Sequence, residues 1–141
     1  MRWLRYLPIF LTVCLLAVAA MLPGLSLAQL RQRLPLFSEL INIVEAIQPG
    51  VDSTHVLIFL LVGAALVLAF AHLRGLALLA MPITGVVVLA LVSEFVQFWV
   101  PGRTPLWSDV RDDLVGGVLG VLLASVLVWL WRRWRPARPL E

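Results

Sequence analysis

Leu76–Val100 reads LALLAMPITGVVVLALVSEFVQFWV. The run is apolar from Leu76 through Val92 and then meets Glu94 and Gln97. It has the length that a helix needs to cross a ~30 Å hydrocarbon core, ~20 mostly apolar residues. Pro82 does not break that reading, because neighbouring membrane helices re-satisfy the backbone that a proline frees. Three further stretches behave alike: about 7–28, about 51–73 with an unbroken apolar run Val56–Ala71, and about 114–131. The expected fold is an all-α membrane protein with four transmembrane helices, at about 7–28, 51–73, 76–98 and 114–131, in one domain covering 1–141. No internal repeat stands out.

Composition agrees. Of 141 residues, 62% are hydrophobic and 13% charged, against roughly 25% charged in an average soluble domain. Mean hydropathy is +1.00. Disordered chains have the opposite bias, few apolar residues and much charge. A nucleic-acid reader needs a basic patch on a folded surface. Here the net charge is only +3 and the arginines sit between apolar runs. The single Cys14 lies inside an apolar run, so no intrachain disulfide or cysteine metal cage can form.

Orientation follows from the arginines, which concentrate on cytoplasmic loops. With four spans, Arg2, Arg5, Arg74, Arg132, Arg133, Arg135 and Arg138 all fall on one face. The other face carries Arg31, Arg33, Arg103 and Arg111 against six carboxylates. Both termini are therefore expected inside, in a multi-pass protein of the cytoplasmic membrane. Trp129, Trp131 and Trp134 match an interfacial anchor for the last helix. The first span also has the features of a secretory signal, with Arg2 and Arg5 ahead of it and Ser26-Leu27-Ala28 before Gln29. Between the first two spans, Glu39, Asn42, Glu45 and Gln48 recur every three residues among Leu36, Phe37, Leu40, Ile41, Val44 and Ile47. That period predicts an amphipathic helix at about 36–48 lying on the outer surface, with Ser38 as a cap near its start.

Strongly polar residues gather at the outer ends of three helices. Asp52 and His55 open the second span, Glu94 and Gln97 close the third, and Asp109, Asp112 and Asp113 open the fourth. Residues three or four apart share a helix face, so each pair can project into one cleft, with Arg103 leaning over it from the linker. Glu94 lies about a turn inside its helix end. A charged group within a membrane helix costs on the order of 2.5–3.5 kcal/mol and marks function by default, so Glu94 is expected to face the bundle with Arg103 or His55 as partner. The alternative is that Glu94, Gln97 and Arg103 only lock the helix ends together. Gly116 and Gly120 form a small-residue packing motif. With Asp109 and Asp113 they fall on one stripe, which leaves Asp112 as the expected solvated member of the acidic trio.

Together these residues resemble the VanZ-like family of small bacterial membrane proteins over roughly Val51 to Val121. The strongest part is Glu94-x-x-Gln97, followed by Pro101-Gly102-Arg103, Asp109, Asp113, Gly116 and Gly120. A weaker part is Asp52-Ser53-Thr54-His55, where the family has lysine at the position of Ser53. Asp113 stands where the family usually has asparagine. Both departures make the cleft more negative and leave Arg103 as its principal cation. The resemblance implies a role in envelope physiology or in glycopeptide (teicoplanin) susceptibility, without implying a reaction.

Three functions follow as expectations. The first is binding of an anionic lipid or cell-envelope precursor head group by Asp52, His55, Glu94, Gln97, Arg103, Asp109 and Asp113, with Arg103 supplying paired donors suited to phosphate. The second is an enzyme acting on a lipid-linked substrate, with His55, Glu94 and Asp109 as candidate acid/base residues. The third is a structural subunit that binds a membrane protein partner or a second copy of itself. A metal held by His55 with Asp52 and Asp109 is an alternative, although one histidine among carboxylates is a weak zinc signature and oxygen-rich clusters favour magnesium, calcium or manganese. No metal or other cofactor is expected.

Overall fold

The computed structural model describes residues 32–47, 49–101 and 104–134, with Tyr6, Leu7, Phe10 and Cys14 ahead of them. The rest of the expected first span, its signal-peptide alternative and Arg103 lie outside the described residues. Among the described residues four helices have defined bounds: α1 (Pro35–Ile47), α2 (Ser53–Ala69), α3 (Ala77–Gln97) and α4 (Trp107–Trp134). No strand occurs among the described residues.

α1 is the amphipathic segment, and it opens on Pro35 rather than near a Ser38 cap. Proline suits the first helical position because its missing N–H has no partner there in any case. Ser38 instead donates its backbone N–H to the Leu34 carbonyl at 2.9 Å, inside the first turn. Leu36, Leu40, Ile43 and Ile47 form an exposed apolar stripe, while Ile41 is buried.

α2 is shorter than the apolar run suggests. Asp52 caps it by accepting from the backbone N–H groups of Thr54 (2.9 Å) and His55 (3.4 Å). At the other end the chain turns through Phe70 to Gly75, whose φ of 60° suits a glycine. α4 starts about two turns earlier than its apolar run, so Asp109, Asp112 and Asp113 lie within the helix instead of leading into it. Acidic groups near an N-terminus suit the helix dipole. α3 and α4 are long and apolar enough to cross a membrane; α2, at 17 residues, is apolar but shorter.

Glycines set how the helices meet. A Cβ on Gly116 would overlap the Val56 backbone, and one on Gly120 would overlap that of Leu60. The pairs 56–116 and 60–120 advance in the same direction, so α2 and α4 run parallel in backbone contact. On another side of α4, Ser93 meets Asp113 and Val86 meets Gly117. These pairs advance in opposite directions, so α3 is antiparallel to both. The core between them holds Phe59, Val62, Val67, Val86, Ala90 and Val121. Large apolar side chains such as Phe95, Leu123 and Leu127 cover the outside, as lipid contact requires and water solubility does not favour.

At the far end, Arg132 of α4 donates to the carbonyls of Ala71 and Leu73, just past the end of α2. Arg133 lies over the Trp129 ring at 5.4 Å, within cation–π range.

Candidate functional site

The parallel and antiparallel order brings the start of α2, the end of α3 and the start of α4 to one end of the bundle. Two adjacent aspartates on α4 then take different partners, Asp112 on α2 alone and Asp113 on both α2 and α3. Asp112, Gly116 and Gly120 are four apart and face Asp52, Val56 and Leu60 at a constant offset, with Asp112 Oδ2 accepting the Asp52 backbone N–H at 2.7 Å. Asp113 and Gly117, also four apart, face Ser93 and Val86 of α3.

Asp112 therefore corrects an expectation. It is only 1% exposed and not the solvated member of the trio. Because Gly116 lets α2 approach to backbone contact, the position one turn earlier is covered by the start of α2. Its other oxygen, Oδ1, accepts from Arg111 Nε and Nη2, each at 2.8 Å. Asp112 thus anchors the first turn of α2, the turn that carries His55.

Asp113 has no exposed surface. Its Oδ1 lies 2.7 Å from His55 Nδ1, and its Oδ2 accepts from Ser93 Oγ at 3.0 Å. The Ser93 hydroxyl also lies 3.1 Å from the Ala90 carbonyl, and its one proton serves one acceptor at a time. His55 is thus held by Asp113; Glu94, expected to pair with Arg103 or His55, has a donor atom within 4.8 Å of His55.

Glu94 is 7% exposed. Its Oε2 accepts the backbone N–H of Leu106 at 3.2 Å, which ties the linker to the end of α3. Its Oε1 is buried and accepts no hydrogen bond from any described residue. Donor atoms of His55, Glu94 and Asp113 all lie within 4.8 Å of one another, so these three could hold a metal ion.

The remaining expected site residues divide. Gln97 is buried at the same end of α3. Asp109 is half-buried in the first turn of α4, where it accepts from Ser108 Oγ at 3.1 Å. It adds negative charge near His55, Glu94 and Asp113 without joining the tight trio. Asp52 is exposed and acts as the α2 cap. Ser53 is buried and does not face an open cleft. Ser93 and Asp112 are the residues beside the cluster whose contacts spacing missed. Asp112-x-x-x-Gly116-x-x-x-Gly120 carried the signal for the second, and a small polar residue beside Glu94 carried it for the first.

A groove of about 460 Å³ opens beside the cluster between the end of α3, the linker and the start of α4. Leu91, Phe95, Phe98, Trp99, Leu106 and Val110 line it, and Glu94 is the one charged residue among its described walls. Small-molecule sites share this character, mostly apolar walls with a few placed polar groups.

A family model described as VanZ/LLP1 matches residues 6–130, a longer stretch than the motifs themselves span. No curated protein and no solved structure matches the chain.

Proposed function

Because this chain belongs to the VanZ-like family, we propose that it is a multi-pass protein of the bacterial cytoplasmic membrane that holds an anionic lipid or cell-envelope precursor at the His55–Glu94–Asp113 end. In this reading the first span and α2 to α4 cross the bilayer, both termini are inside, and that end faces out. The exposed stripe of α1 then rests on the outer lipid surface. The acyl part lies in the groove beside α3 and the head group lies over the polar cluster, with Arg103 supplying donors to phosphate. A contribution to envelope physiology or glycopeptide susceptibility follows from occupying such a lipid.

One observation carries this reading. Glu94 belongs both to the apolar groove and to the buried cluster, so an amphiphile lying along the groove presents its polar end to His55 and Asp113. The test is native mass spectrometry of the gently solubilised protein beside Leu91→Trp, which fills the groove, and Arg103→Ala. A defined lipid mass on the wild type that both variants lose is the expected result. A wild type without a specific lipid, or the same mass on all three, overturns it.

A second reading is catalysis on the same ligand. It is favoured by the His55–Asp113 contact at 2.7 Å, since a carboxylate on Nδ1 orients an imidazole for proton transfer through its other nitrogen. Asp113 orients His55 in this reading, and Asp109, an acid/base candidate from the sequence, stays outside the trio. Turnover of the identified lipid that is lost in His55→Gln with binding retained selects this reading.

A further inference from the structure

The three donors at the bundle end come from three different helices, and their hydrogen bonds are distributed unevenly. On Asp113, Ser93 holds Oδ2 and leaves Oδ1 toward His55. On Glu94, the Leu106 N–H holds Oε2 and leaves Oε1 buried without a partner among the described residues. Each carboxylate thus has one oxygen tied to a donor outside the trio, and one donor atom each of His55, Glu94 and Asp113 lies within 4.8 Å of the others. Metal sites use this arrangement, in which outer hydrogen bonds orient the ligating carboxylates. A buried carboxylate oxygen with no donor is costly unless a cation or proton meets it.

We propose that His55, Glu94 and Asp113 bind one divalent first-row metal ion, with zinc preferred over manganese. The two carboxylates alone would favour magnesium, calcium or manganese, as the sequence suggests, but the imidazole brought between them shifts the set toward transition metals. Among divalent ions on such ligands, zinc binds more tightly than manganese. At metal–ligand distances of about 2.0–2.2 Å, tetrahedral donors lie about 3.3 Å apart. The donors here lie within 4.8 Å, and the closest pair is 2.7 Å apart. Binding therefore opens the His55–Asp113 contact by about half an ångström and draws a Glu94 oxygen inward. Three protein ligands leave a coordination position for water or for an oxygen of a bound molecule. The ion also neutralises two carboxylates at the place where the lipid reading puts a head group. The metal site needs no lipid, so its test is separate from the lipid test.

The test uses the full chain in mild detergent, stripped with a chelator, loaded with zinc or manganese chloride and desalted. Retained metal is counted by elemental mass spectrometry for the wild type, His55→Gln, Glu94→Gln, Asp113→Asn and the control His72→Gln, a histidine past the other end of α2, with helicity and elution volume checked for each. About one equivalent per chain is expected in the wild type and the control, and at least a tenfold loss in the three others. A wild type that retains neither ion, or trio variants that retain as much as the wild type, overturns the proposal. Should a variant fail to fold, cobalt loading of the wild type decides. A tetrahedral visible spectrum displaced by zinc supports the site, and the weak spectrum of aqueous cobalt refutes it.

Discussion

The His55–Asp113 contact can be weighed by a double-mutant cycle with His55→Ala, Asp113→Ala and the double variant. The two groups are 2.7 Å apart, with Asp113 fully buried and the His55 side chain 12% exposed. A hydrogen bond to a charged group is worth about 1.5–3 kcal/mol net. Interhelical hydrogen bonds in membrane proteins average only about 0.6 kcal/mol and reach about 1.7. Short length and burial put this pair at the upper end of the second range, so a coupling energy of about 1.5 kcal/mol is expected. Asp113→Ala alone should cost more, about 2–3 kcal/mol, because it leaves the largely buried His55 without its partner, while Ser93 keeps the Ala90 carbonyl as acceptor. The assay is reversible unfolding of the detergent-solubilised protein by sodium dodecyl sulfate, followed by circular dichroism. Chelator is kept present so that no metal contributes. Asp113→Asn serves as control, since it keeps an acceptor for Ser93 while removing the charge. A coupling below about 0.5 kcal/mol, the level of an exposed ion pair, would refute the view that the start of α2 is held to α4 through this contact.

The glycines give a paired prediction. Gly120→Ala should destabilise by about 1–3 kcal/mol because its Cβ meets the Leu60 backbone and α2 has to move away. Gly75→Ala meets nothing and should cost only the left-handed backbone strain, about 1–2 kcal/mol, with the lipid mass and metal content unchanged. Loss of specific lipid in Gly75→Ala at full helicity would contradict the placement of the site at the opposite end. Asp112→Ala leaves the Asp52 N–H without its acceptor and should cost about 1–3 kcal/mol. Because Asp112 anchors the turn that carries His55, the same variant should weaken zinc retention without removing a ligand. Unchanged stability would show that the start of α2 does not depend on Asp112.

Apolar length and periodicity by themselves determined the all-helical class, the positions of α1 and α3 within a residue or two, and the glycine stripe of α4. They also singled out His55 and Glu94, since charge on an apolar helix stands out from its neighbours whatever the packing. The division between Asp112 and Asp113 needed the tertiary structure. Periodicity says which residues share a face, but a helix has several faces, and the register of its neighbours decides which of them is covered. Only the constant offset along the α2–α4 contact shows that Asp112 meets the start of α2. With that face committed, Asp113 turns to α3 and His55, and Asp109, one turn farther out, stays half-buried. Ser93 was hidden for the same reason: a serine in an apolar helix carries no charge to mark it, and its role exists only because α3 runs antiparallel and lays it against Asp113. The free oxygen of Glu94 is likewise a property of the assembly, because its second oxygen is occupied by a backbone N–H from the linker, a donor that every residue type except proline carries and that no side-chain pattern reveals.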